Sequence, residues 1–169
     1  FMNKFVIQDA KDREERFSKF VNDYGRDSYV SEKYHYRIQS PEDWKIFTRE
    51  DLLNEDFKQE QFPSDMEIFL FRNKDRKIFL ICPKEIDNIE KEKRLLEEGY
   101  FHQLNDGILE KNYLSWGKYT VFQIIYRNES LQYVSDMYVM YDHLGVLFRI
   151  ATRDEAELKS VVQEVQQII

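Results

Sequence analysis

Only one of the 169 residues is cysteine, five are glycine and three are histidine, and each scarcity removes a class of function. A lone Cys82 rules out an intrachain disulfide. The glycines, at positions 25, 99, 107, 117 and 145, are isolated from one another, so neither a dinucleotide fingerprint nor a P-loop can be built from them. His35, His102 and His143 stand far apart with no cysteine or histidine at ligand spacing, which leaves no expected metal site and no expected cofactor. Long apolar runs are missing too. No stretch approaches the roughly 20 residues that span a bilayer as a helix, and the opening FMNKFVIQDAKDREERF has no apolar signal core. If Met2 is the natural start, a cytoplasmic protein is expected; if a segment preceding Phe1 was removed, an exported or lipid-anchored one.

A basic surface is also lacking. The net charge is −7, and Lys and Arg are interleaved with acids, as in EKEKRLLEE (Glu90–Glu98), which reads as a salt-bridged helix face. Such a field repels phosphate backbones and anionic lipid, so nucleic-acid partners are not expected. What the chain does have is 42% hydrophobic residues, with 13 Phe and 11 Tyr among them, enough for one substantial core inside a heavily charged surface. The wealth of Lys, Glu, Ile, Phe and Tyr is compatible with a bacterial source of low G+C content.

Periodicity divides the chain. Ile7, Ala10, Glu14, Phe17, Val21 and Tyr24 share one helical face before Gly25, and Glu14 interrupts the seam, which favours a short helix packed on a domain over a dimeric coiled coil. Residues 1–33 are therefore expected to be an amphipathic helix and a linker, and 34–169 a single domain. In YHYRIQSPEDWKIF, Tyr34, Tyr36 and Ile38 alternate as in a strand, Pro41 makes a turn, and Trp44 opens a second strand as a core anchor. Residues 49–62 are expected to hold no strand. MEIFLFR and KIFLIC flank a turn as a hairpin apolar on both faces, which requires a sheet covered on two sides. Pro83 is expected to open a helix with Ile86, Ile89 and Leu96 inward, ended by Gly99. Residues 100–118 read as irregular, then KYTVFQIIYR, Leu131–Tyr141 and VLFRIA as a meander. Thr152 and Glu155 form a predicted capping box for a last helix with the stripe Leu158, Val161, Val162, Val165, Ile168, Ile169.

The order of these motifs, YRIQSPEDWKIF, a hairpin, a helix, SWGKYTVFQ, and strands ending in FRIATRDE before a capped helix, resembles the PsbP-like superfamily over residues 34–169. That group includes the photosystem extrinsic protein, a Ran-binding nuclear transport factor, and bacterial lipoproteins and chaperones. The resemblance rests on Ser40-Pro41, Trp44 and Gly117, while the N-terminal helix and the missing Ser-Phe ending depart from the pattern. It implies an α+β fold, an α/β/α sandwich around an antiparallel sheet of about six strands. It also implies protein binding without shared catalytic residues.

Three functions follow as expectations. The first is a non-enzymatic protein- or peptide-binding accessory domain, with Tyr100, Phe101, Tyr113 and Trp116 as partner anchors because aromatics in an irregular segment cannot all reach the core. The second is a small-molecule or lipid carrier with a cavity between sheet and helix. The third is an enzyme using Cys82, whose thiolate a helix N-terminus at Pro83 would favour.

Overall fold

A computed structural model describes residues 15–54, 62–104 and 107–166. The expected Ile7, Ala10 and Glu14, and Ile168 and Ile169 at the other end, lie outside the described residues, as does the side chain of Val165. A helix α1 (residues 15–24) precedes β1 (Ser28–Ser31), β2 (Tyr36–Gln39), β3 (Trp44–Thr48), β4 (Ile68–Arg72) and β5 (Lys77–Glu85). Then come α2 (Ile89–Leu104), β6 (Ile108–Trp116), β7 (Tyr119–Arg127), β8 (Tyr133–Tyr141), β9 (Leu144–Thr152) and α3 (Glu155–Gln166). Strands β3 to β9 make one antiparallel sheet of seven strands in the order β3-β4-β5-β9-β8-β7-β6, one strand more than expected, and β1-β2 is a separate hairpin.

Burial on both faces explains the unbroken apolar runs of β4 and β5. On one face Trp44, Ile46, Leu70, Phe79, Phe148 and Ile150 meet Leu158, Val161 and Val162 of α3, and Ile38 of the hairpin joins the same cluster. On the other face Phe20 of α1 stacks on Phe47, and Leu96 and Tyr100 of α2 pack with Phe122 and Ile124. The result is the α/β/α sandwich, with α3 on one side and α1 and α2 on the other. Trp44 is buried as expected, edge-on to Phe79 with the Arg72 guanidinium 4.8 Å above its ring.

Several local expectations give way to tertiary contacts. Residues 28–31, read as linker, form β1 and pair with β2. Pro83 does not open a helix. It continues β5 opposite Val146, and α2 starts at Ile89, where Asn88 Oδ1 accepts the Lys91 N–H at 2.8 Å. Gly99 does not end α2, because Leu96, Tyr100 and Leu104 continue one buried stripe past it. Residues 108–116 are a full strand rather than an irregular segment. Thr152 belongs to β9, and the cap of α3 is Asp154, whose Oδ1 accepts the Ala156 N–H at 2.8 Å.

Two glycines are required by geometry. A Cβ on Gly25 would stand 2.5 Å from the Val21 carbonyl oxygen, so only glycine fits at the end of α1. Gly117 has φ of +60° in the two-residue turn between β6 and β7.

Candidate functional site

Two-residue turns decide which aromatics come together. Gly117-Lys118 places Trp116 opposite Tyr119, the β7–β8 register places Thr120 opposite Met140, and Asp142-His143 places Tyr141 opposite Leu144. Side chains directly across a sheet share a face. Trp116, Tyr119, Tyr141 and Leu144 therefore form one row across four strands, at the end of the sheet away from α3. The Tyr119 and Tyr141 rings meet edge to face at 5.9 Å, and Lys118 Nζ lies 4.8 Å from the Tyr141 ring centre. Tyr141 is 48% exposed, so the row is only half covered.

The cover stops at β2. A crevice of about 130 Å3 lies between Tyr36, Arg37 and Ile38 of the hairpin and Tyr119, Tyr141 and Leu144 of this row, with Val139 and Phe148 beneath and Trp116 next along the row outside it. Three consecutive residues of β2, Tyr36 to Ile38, border the crevice along the strand. Among the described residues β2 pairs with β1 alone, so its other edge has no strand beside it. The hairpin is held by Glu67, whose Oε1 accepts the Tyr36 hydroxyl at 2.9 Å and which also partners Tyr29. Burial first, then Glu67, pushes the Tyr29 phenol up to about 12. Next to the crevice, a broader open groove is lined by Lys33, Tyr34, His35, Glu85, Asp87, Asp142 and His143.

The four expected anchors do not converge. Trp116 lies in the row. Tyr113, three residues earlier on the same strand, faces the opposite side, against Phe122 and with its hydroxyl on Glu97 of α2. Tyr100 is buried in α2, and of Phe101 only the backbone, in the same helix, is described. Tyr119, Tyr141 and Leu144 were missed, although W-GK-Y and Y-DH-L announce cross-strand pairs.

Tyr100 belongs instead to a buried polar network that no sequence pattern announced. Asp136 is fully buried. Its carboxylate accepts Arg149 Nε at 2.7 Å and Nη2 at 2.8 Å, the Tyr100 hydroxyl at 2.5 Å and the Tyr126 hydroxyl at 3.1 Å. Arg149 is held firmly in its charged form by these bonds, and burial together with Asp136 raises the pKa of Tyr100 and Tyr126. The network ties α2 to the middle of the sheet.

Cys82 is 5% exposed in the middle of β5 rather than at a helix start, and burial pushes its thiol up to about 12. Such a thiol is the reverse of an activated nucleophile. Among the described residues no cluster of three His, Cys, Asp or Glu side chains is arranged to hold a metal ion. A second recess, about 280 Å3, opens between α2 and β6–β7, with Ile108, Phe122 and Ile124 inside and Glu97, Glu98, His102 and Lys111 about its mouth. No described helix is long and apolar enough to cross a membrane.

Sheet order, two-sided cover and the capped last helix define a PsbP-like fold. Among solved structures the chain is similar to that of cyanobacterial PsbP (CyanoP) from Synechocystis sp. PCC 6803, with a TM-score of 0.54 and 12% identity, covering 86% of this chain and 91% of that one. No protein-family model matches the sequence, and no curated protein does.

Proposed function

We propose that this chain is a non-enzymatic accessory domain that binds an extended segment of another protein between the edge of β2 and the row Trp116, Tyr119, Tyr141 and Leu144. The observation that carries this reading is the pairing of an unoccupied strand edge with an aromatic floor in one crevice. A strand edge supplies main-chain hydrogen bonds to any extended peptide, and the pocket beside it selects a side chain. Arg37 and Lys118 stand at the rim, and exposed aromatics are the residue types that carry binding energy. The PsbP-like fold agrees, since its members mostly bind proteins.

The test is capture of partners, or of a library of extended peptides, by immobilised protein. Trp116→Ala or Tyr141→Ala is expected to weaken binding by about 30-fold, the equivalent of roughly 2 kcal/mol at a hot spot. Tyr113→Ala, on the opposite face, is expected to leave crevice binding intact. Equal affinity for wild type and both row variants, each with native circular dichroism, would sink the proposal.

A second reading, a small-molecule carrier, rests on the recess between α2 and β6–β7. Its volume lies near the lower end of the about 300–1,000 Å3 of ligand sites. Organic extraction of purified protein followed by mass spectrometry tests it, and an empty extract removes it.

A further inference from the structure

We propose that β6 is a self-complementary edge by which two copies of the chain join into one continuous antiparallel sheet. The proposal is independent of the crevice, which lies on one face. The seven-stranded sheet has two edges. That of β3 is closed, because Arg26 donates its N–H to the Ile46 carbonyl at 3.0 Å and accepts the Ile46 N–H at 2.8 Å. The outer side of β6 has no neighbouring strand among the described residues.

The two-residue turn makes Trp116 and Tyr119 the closing hydrogen-bonded pair of the hairpin, and such pairs alternate along an antiparallel ladder. Leu114 and Asn112 consequently bond inward to β7. Lys111, Tyr113 and Ser115 turn their N–H and C=O groups outward. Natural edges are blunted by proline, by bulges or by lysines reaching across them. Here the bulge sits at the far end, between Ile108 and Glu110, no proline is present, and Lys111 is drawn back over the sheet to Glu97 of α2 at 3.1 Å. Tyr113 is left 45% exposed beside the open backbone.

A two-fold axis normal to the sheet keeps each side chain on its own face, so a residue can pair only with one of equal parity. An axis through Asn112 pairs Lys111 of each copy with Tyr113 of the other. Each Lys111 then lies beside an aromatic ring whose hydroxyl rests on Glu97 and over which Lys93 Nζ sits at 5.5 Å, so at each pair the two Glu97 carboxylates balance the two ammonium groups. An axis through Lys111 would set two lysines against each other. An axis through Glu110 would do the same with two carboxylates. An axis through Tyr113 would leave each Lys111 opposite Ser115, with no aromatic or acidic partner across the edge. The second copy, in the Asn112 register, is the occupant these pairings favour.

Analytical ultracentrifugation over a wide concentration range tests the association, and cysteine cross-linking tests the register. Asn112 falls on the axis in a non-hydrogen-bonded pair, with Cα atoms about 4.5 Å apart, where a disulfide fits. Asn112→Cys is expected to give a disulfide dimer under mild oxidation, and Leu114→Cys, opposite Glu110 of the other copy, is not. Wild type is the control, since Cys82 is buried. Lys111→Glu, which sets three acids together at each pair, is expected to abolish the dimer with the fold retained. A monomer at every concentration overturns the proposal, and so does a dimer that Lys111→Glu leaves intact or that Leu114→Cys locks as well as Asn112→Cys.

Discussion

At the scale of single residues, Asp136 bears the largest burden. Its carboxylate is out of contact with water and satisfies four donors from α2, β7 and β9. An uncompensated buried charge is expensive, and removing one partner of such a pair costs more than the pair itself contributes. Asp136→Asn keeps the shape but replaces one acceptor oxygen with a donor that faces Arg149 or the tyrosine hydroxyls. Because the Arg149 side chain is 36% exposed, water softens its loss. A destabilisation of about 3 kcal/mol is expected, read as a lower urea midpoint at unchanged slope. Tyr100→Phe, which removes one charge-assisted bond, is expected to cost about 1.5–3 kcal/mol. The two changes share a partner, so their sum should exceed the double variant, and strict additivity would show that the network is not coupled.

At the scale of elements, caps and turns hold positions that packing then exploits. Asn88→Ala removes the side-chain acceptor at the start of α2 and is expected to cost about 1 kcal/mol, measured by thermal or urea unfolding. Gly25→Ala is expected to cost more than a cap, because the added methyl meets a backbone carbonyl that cannot move without shifting the end of α1. A Gly25→Ala variant as stable as wild type would show that the helix end yields. Elements with their own period were legible in the sequence: β4, β5, β7 and β9 by apolar runs, α3 by its stripe, Trp44 by its place after a turn. The elements that were not legible depend on distant partners. β6 alternates in burial along its whole length, yet half of its alternation is Glu, Lys, Asn and Ser against exposed Leu109 and Tyr113, so only pairing with β7 defines it. Gly99 looked like a helix stop because the buried acid that anchors Tyr100 lies 36 residues away. Of the candidate row, the sequence singles out Trp116 alone, as one of four aromatics in a segment that reads as irregular. The rest of the row required the register of three hairpins.

At the scale of the whole molecule, buried phenols and paired carboxylates set opposite limits of pH. Burial raises Tyr138 to about 12 and Cys82 to about 12 from ordinary values of 10.0 and 9.0, and raises Tyr100 and Tyr36 further. A group whose folded pKa lies above its unfolded one contributes stability that is complete below the unfolded value and disappears as pH climbs through the folded value. The alkaline limb therefore begins near pH 9 with Cys82 and steepens above pH 10 as Tyr138 joins it, running on to about pH 12. On the acid side, burial raises the Asp51 pKa, but bonds from Arg26 and the Thr48 N–H outweigh it, and Arg72 lowers that of Asp75. Their contribution is present above the ordinary carboxylate value of 3.8 and is lost as pH falls through the lower folded values. Urea midpoints should form a plateau between these limbs. The buried phenols of Tyr36, Tyr100, Tyr126 and Tyr138, all raised by burial, should show tyrosinate absorbance only as circular dichroism is lost. If all the tyrosines titrate together with the sheet intact, the phenols on Asp136 and Glu67 are not sealed from water, and the two faces are packed less tightly than the aromatic clusters require.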